Sequence, residues 1–158
     1  MIDQEVTNKL ISTLSKVEDE AYLYINSYGG VFYDFLAIYD YIQNMECKVN
    51  TIGIGKCMSA GALILMSGTG YRTAYPNTSI MLHNLQTGYH YDSIEDIRIT
   101  HQHNIDLEER LIDIIVEHTG KNIIQVNADI ERDLYMTPEE AVEYGIIDNI
   151  VGEQYVGE

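Results

Sequence analysis

Apolar positions along the chain repeat with two different periods, and the two periods alternate. Val6, Leu10, Ile11 and Leu14 recur at helical spacing and predict a helix over residues 4–15. A charged connection follows, Lys16-Val17-Glu18-Asp19-Glu20. Residues 21–26, Ala-Tyr-Leu-Tyr-Ile-Asn, predict a buried strand that ends in the turn Ser27-Tyr28-Gly29-Gly30. Phe35, Ile38, Tyr39 and Ile42 then line one face of a helix predicted over 31–44. Residues 49–54 predict a second strand, 55–61 a tight turn of small residues, and the apolar run after it a helix to about residue 67. Gly68-Thr69-Gly70 ends that helix.

The second half has shorter strands and one long helix. Short strands are predicted over 71–74 and 79–83, around the turn Pro76-Asn77. Residues 85–91 lack periodicity and predict a loop, with Asp92 or Ser93 opening a helix that runs to about residue 118. Ile94, Ile97, Ile105, Leu111, Ile112 and Ile115 carry its apolar side, but its middle, Thr100-His101-Gln102-His103-Asn104, is polar. A long helix with a polar waist is expected to project from the body and meet a partner. A helix over 122–128 follows. Thr137-Pro138-Glu139-Glu140 has the form of a capping box with proline at the first helical position, and Gly145 stops that helix. Residues 146–151 predict a last strand. This alternation predicts an α/β fold with a mainly parallel sheet and right-handed crossovers, organised as one domain over 1–158. In such sheets ligands bind outside the carboxyl ends of strands, so the turns after residues 26 and 54 are expected to face one cleft.

Charge narrows the partners. With 25 acidic and 9 basic residues the net charge is −16, which disfavours nucleic acid and anionic membrane. A self-repelling monomer can assemble only by burying apolar area or pairing charges locally. No run of apolar residues approaches a membrane span, and the polar, acidic start has no signal-peptide pattern. The two cysteines, Cys47 and Cys57, form neither a disulfide framework nor a zinc pattern. A cytoplasmic protein without metal or cofactor is the expectation.

Ser59 stands where a β-type run passes through a small-residue turn into an apolar helix. Free N–H groups and the dipole at a helix start favour developing negative charge, as acyl transfer by a serine requires. The bland alternative is that Ser59 caps the helix. Gly29-Gly30 and the N–H of Ala60 can supply oxyanion donors. His83 alone among the five histidines ends an apolar strand, which leaves it open between a candidate base and the commoner satisfied structural histidine. His101 and His103 lie on different helix faces and cannot share a metal. The acid that would orient the base stays open among Asp106, Asp113, Asp129, Asp133 and Asp148.

Several motifs in order together resemble one family. They are Ile25-Asn26-Ser27-Tyr28-Gly29-Gly30, residues 55–61, Pro76-Asn77 through Met81-Leu82-His83, His118-Thr119-Gly120, Glu131-Arg132-Asp133, and residues 140–148. The chain from about residue 3 to residue 151 resembles the ClpP serine peptidases. The resemblance implies a ClpP/crotonase-like fold with a projecting handle over about 85–118. It implies Ser59 as nucleophile, His83 as base, Asp133 as the acid that holds the base, and the N–H groups of Gly30 and Ala60 as the oxyanion hole. It implies that Arg132 couples ring contact to triad alignment. It further implies a homo-oligomer, two stacked heptameric rings forming a tetradecamer, that hydrolyses peptides or unfolded proteins and has an AAA+ unfoldase as a possible partner.

The departures from the family pattern bear on the partner. Tyr28 replaces the usual proline before Gly-Gly, Leu85 replaces another, and Ala60 stands where the family usually has methionine. No counterpart of the family's axial loops precedes Ile2, and Asn44 and Thr73 replace aromatics of the unfoldase-docking pocket, where Tyr22 and Tyr24 are kept. These changes weigh against standard unfoldase coupling, and a short acidic variant of this kind is compatible with a phage genome. Two other functions compete with the peptidase: a catalytically weak structural or regulatory subunit of related rings, and a crotonase-like acyl-CoA enzyme.

Overall fold

The computed structural model describes residues 1–88 and 93–152. In order, the elements are α1 (Gln4–Leu14), β1 (Glu20–Ser27), α2 (Phe32–Gln43), β2 (Lys48–Met58), α3 (Ala60–Met66), β3 (Arg72–Ala74), β4 (Ser79–Leu82), α4 (Ile94–Thr119), α5 (Ile123–Asp129), β5 (Leu134–Met136), α6 (Pro138–Tyr144) and β6 (Asn149–Ile150). The strands form one sheet in the order β5-β4-β2-β3-β6, with β1 also paired to β2. All pairings are parallel except β4 with β5, so the expected mainly parallel α/β sheet with flanking helices is the observed one.

Strand β2 organises the sheet because its two halves have different neighbours. Thr51, Ile52 and Gly53 pair with β3, whereas Lys56, Cys57 and Met58 pair with β4. Between the halves the register against β1 jumps from Ile25↔Gly53 to Ser27↔Cys57. Asn26 therefore faces three residues of β2, and Gly55, at φ 71°, absorbs the bend. The sheet curls here. Residues 55–58, predicted as part of a turn, are thus strand: the glycines mark a bulge, and pairing with β4 carries the strand onward. The turn itself contracts to Ser59.

Two further expectations change. The pattern of residues 134–136 predicts no element, yet they pair antiparallel with β4. Three residues are too few for a periodic signal, and the partner strand decides the conformation. In α4, the predicted apolar side is buried only from Leu111 onward, with Ile105 half-buried. Ile94 is 74 % exposed and Ile97 51 % exposed, so the first part of the helix stands away from the body. Ile99 is exposed with them. Residues 85–88 of the predicted loop have no regular structure, and 89–92 lie outside the described residues.

The core runs between the sheet and the inner helices. Phe35, Ile38 and Ile42 of α2 and every residue of α3 are buried, joined by Val49, Ile80, Leu82, Ile115, Ile130, Ile146 and Ile147. The capping box at α6 forms as its sequence predicts: Thr137 Oγ accepts from Glu140 N–H, and Glu140 accepts from Thr137 N–H. Strand β3 is locked to the segment after α6 by Arg72. Its guanidinium meets Asp148 at 2.5 Å and donates to the carbonyls of His118 and Gly145 at 3.3 and 3.0 Å. Asp148 N–H returns a hydrogen bond to the Arg72 carbonyl at 2.7 Å. Replacing Asp148 by alanine would leave a largely buried guanidinium without its carboxylate. Asp148→Ala is expected to lower unfolding free energy by about 1–3 kcal/mol, discounted for the water that still reaches the pair. Urea unfolding at fixed protein concentration checks this; an unchanged midpoint would mean that water replaces the carboxylate without cost.

Candidate active site

The site lies where β2 and β4 end side by side. Met58 pairs with Met81, and the Ser59 N–H donates to the Met81 carbonyl at 2.8 Å. The next residues along each strand direction are therefore Ser59 and, two positions beyond Met81, His83. Ser59 has φ 52° and ψ −127°, and it is the one non-glycine residue with positive φ among those described. A serine in this conformation carries local strain on the order of 1–3 kcal/mol, held in place by the surrounding fold. Its side chain makes no capping hydrogen bond, so the plain helix-cap reading of Ser59 does not hold. The Ser59 carbonyl accepts from Ala62 and Leu63 N–H at 2.9 and 3.1 Å, which starts α3 immediately after the turn.

The loop after β1 approaches this turn very closely. A Cβ on Gly29 would lie 2.7 Å from Ser59 Cβ and 2.9 Å from the Met58 carbonyl oxygen, and one on Gly30 would lie 1.9 Å from the Ile2 carbonyl oxygen. Only glycine fits either position. Ile2 N–H donates to the Gly29 carbonyl, and Val31 N–H donates to the Ile2 carbonyl, both at 2.9 Å. The alternation of extended backbone then turns the N–H of Gly30 itself away from Ile2. Gly30 and Ala60 line the same cavity as Ser59 and His83.

That cavity measures about 550 Å³. Phe32, Leu63, Leu82, Leu107 and Leu111 give it an apolar lining, suited to a side chain held beside Ser59. Tyr28, with the Lys56 ammonium 4.3 Å from its ring centroid, and Leu85 also line it. Three of the positions that depart from the family pattern, Tyr28, Ala60 and Leu85, thus line the cavity. The sequence pattern singled out Leu111 of this lining but not Leu107; with Asn104 they fall at i, i+3 and i+7 on α4, a spacing that could have identified them together.

His83 is half-buried, and its Nδ1 is buried with no hydrogen-bond partner among the described residues. On its far side lies a second cleft of about 570 Å³, lined by His83, Asn84, Glu131, Arg132 and Asp133. The antiparallel ladder pairs Leu82 with Leu134, so one further step places Asp133 opposite His83. Asp133 and Arg132 are exposed at this cleft. Among the described residues no hydrogen bond joins His83 to Ser59 or to Asp133. The fold thus gathers Ser59, His83, Gly30 and Ala60 at one cavity, and His83, Asp133 and Arg132 at the adjoining cleft. The other candidate acids lie elsewhere: Asp129 accepts from the Tyr144 hydroxyl, Asp106 from Gln102, and Asp148 holds Arg72, while Asp113 lines a separate groove against α5.

The positions that the resemblance assigns to an unfoldase-docking pocket separate in the structure. Tyr22 and Thr73 share a shallow, mostly apolar pocket of about 270 Å³ with Asn50, Ile52, Tyr71 and Asn149. Asn44 instead ends α2, where its amide donates to the Asp40 carbonyl at 2.8 Å. Tyr24 is exposed on the same strand as Tyr22.

Comparison with known proteins agrees over nearly the whole chain. A family profile described as Clp protease matches residues 1–154. The ATP-dependent Clp protease proteolytic subunit 1 of Thermobifida fusca (strain YX) is 36 % identical over 156 residues, covering 95 % of this chain and 70 % of the relative.

Cys57, two residues before Ser59, is a second nucleophilic side chain close to the turn. It is fully buried, its thiol faces the Ile25 carbonyl at 3.3 Å, and burial pushes its pKa up to about 12. Only the thiolate reacts, so the folded protein is expected to resist alkylation of Cys57 by iodoacetamide at pH 8, while denatured protein is modified there. Peptide mass spectrometry reads both; rapid alkylation in the folded state would contradict the burial.

Proposed function

The chain belongs to the Clp protease family, and from that premise we propose that it is a serine peptidase working through Ser59, His83 and Asp133. The observation that carries this reading is the strained Ser59 turn, which opens on the same cavity as His83. In the proposed reaction an apolar substrate side chain enters the cavity and brings its carbonyl to Ser59. His83 takes the hydroxyl proton as Ser59 Oγ attacks. The oxyanion is met by the N–H groups of Gly30 and Ala60. His83 then returns the proton to the leaving amine, and water releases the acyl group by the same steps in reverse. Asp133, opposite His83 in register, receives Nδ1–H and holds the ring in the tautomer the reaction needs.

Family membership brings oligomeric rings and possible unfoldase partners into the proposal. Two stacked heptameric rings would cover the exposed start of α4 and enclose the sites, with Arg132 linking ring contact to Asp133. The partnerless Nδ1 of His83 favours a requirement for assembly: ring contact would bring Asp133 to it. The same observation supports a second reading, in which the chain is a weakly active structural or regulatory subunit of related rings. Engagement of an AAA+ unfoldase is proposed to be weak, because Thr73 stands in the apolar pocket beside Tyr22 where an aromatic would fill it. The proposed site of action is the cytoplasm.

Hydrolysis of a short fluorogenic peptide, with oligomer mass read on the same samples, separates the two readings. Ser59→Ala and His83→Ala are each expected to lower kcat on the order of 10⁴–10⁶-fold at unchanged mass, because the members act as a unit. Asp133→Asn is expected to lower kcat on the order of 10⁴-fold. A serine-directed phosphonate should label Ser59. A ring-forming wild type that neither hydrolyses nor labels would leave the subunit reading standing.

A further inference from the structure

The cavity beside Ser59 has two walls and a back. One wall is the segment after β1, the other is the segment after β4, and the back is α4 through Asn104, Leu107 and Leu111. To either side of Leu107, α4 presents a polar residue that grips one wall. The Nε2 of His103 shares a hydrogen bond with the Tyr33 hydroxyl, and the two rings stack with centroids 6.2 Å apart. Glu108 accepts a hydrogen bond from the side-chain amide of Asn84. One helix thus holds both the wall that carries Gly30 and the wall that carries His83.

The second grip bears directly on His83. Asn84 follows it in the chain and is held from three directions. Its amide nitrogen donates to Glu108, its Oδ1 accepts from Leu85 N–H at 2.8 Å, and its own N–H donates to the Ile130 carbonyl at 2.9 Å. On the other side of His83, Leu82 is fixed by the ladder with β5. The backbone of His83 is therefore clamped between a sheet partner and a side chain anchored on α4. The imidazole itself has no such anchor at Nδ1. Its position then depends on how firmly residues 82 and 84 are held.

We propose that Glu108 is a positioning residue for His83, acting through Asn84, and that α4 thereby sets the placement of the base relative to Ser59. The role of His83 as base rests on the serine-peptidase reading; its placement by Glu108 does not. Two simpler roles would leave different traces. A merely structural hydrogen bond would affect stability without moving His83. A purely electrostatic effect of the Glu108 carboxylate on the imidazole would vanish when the charge is removed. Glu108→Gln separates these possibilities, because it removes the charge and keeps the oxygen that accepts from Asn84.

The test uses the assembled full chain with Glu108→Gln, Glu108→Ala, Asn84→Ala and the double alanine variant. Two quantities are read: kcat and KM for peptide hydrolysis, and the rate at which diethyl pyrocarbonate modifies His83, followed by mass spectrometry and independent of turnover. Glu108→Ala and Asn84→Ala are each expected to lower kcat about 10–100-fold with KM within about twofold, since a displacement near 1 Å at a reacting group costs on that order. The double variant should lose no more than either single one, because both remove one interaction. Glu108→Gln should stay within about threefold of wild type. The His83 modification rate should shift in both alanine variants and stay unchanged in Glu108→Gln. The proposal is overturned by a Glu108→Ala protein that matches wild type in the modification rate, by a Glu108→Gln protein as impaired as the alanine variant, or by losses that multiply in the double variant. If the wild type neither hydrolyses peptide nor takes the phosphonate at Ser59, the peptidase reading fails, while the His83 modification series still decides the positioning role.

Discussion

The pairing of β2 with β4, closed by the hydrogen bond from Ser59 N–H to the Met81 carbonyl, is the constraint on which the rest of the site depends. It makes two strands end together and so sets a serine and a histidine at neighbouring strand ends. Parallel strands cannot be joined by a tight hairpin, and here α3 and β3 lie between them in the chain. Helix α3 is short and wholly buried, which leaves no room for the turn before it to relax. The strained φ of Ser59 follows from this confinement. Ser59 is half-buried in this setting and lines the cavity.

The electrostatics and the helices bear on assembly together. A chain of net charge −16 repels its copies, but at physiological ionic strength charges separated by more than about 8 Å are largely screened. Against this stand exposed apolar groups at the start of α4. Ile94, Ile97 and Ile99 are partly covered already, so covering the rest of each would contribute less than the roughly 1.5–3 kcal/mol of a fully exposed side chain. Screening leaves such short-range apolar burial as the attraction available where two such surfaces meet. The same helix forms the back of the cavity at Leu107 and Leu111 and touches both walls through His103 and Glu108. One rigid element thus joins an exposed surface, suited to a partner, with the segment that carries His83.

Much of the architecture was legible in residue patterns because the governing interactions are local. The caps at Thr137 and Gly145 form as written, since a capping box needs only residues three apart. The buried faces of α2 and α3 follow from helical spacing and apolar density. The apolar face read for α1 holds at Leu10, Ile11 and Leu14 but not at Val6, and the apolar residues at the start of α4 stand uncovered on a helix that projects as its polar waist predicts. Val6, Ile94 and Ile97 show periodicity, but periodicity gives a face and not the neighbour that would cover it.

By itself the sequence determined the alternation of strands and helices, the serine at a strand-to-helix turn, the glycines beside it and the histidine at a strand end. Each of these is encoded within a few residues. The tertiary structure decided what depends on distant partners. Strand β2 runs through Gly55 to Met58 because β4 pairs with it. Asp133 comes opposite His83 in register because β5, invisible as a pattern, lies antiparallel to β4. Glu108 meets Asn84 across 24 positions of chain, a contact that no local spacing specifies. Ladder register and helix docking are properties of two segments at once, and neither segment alone carries the information.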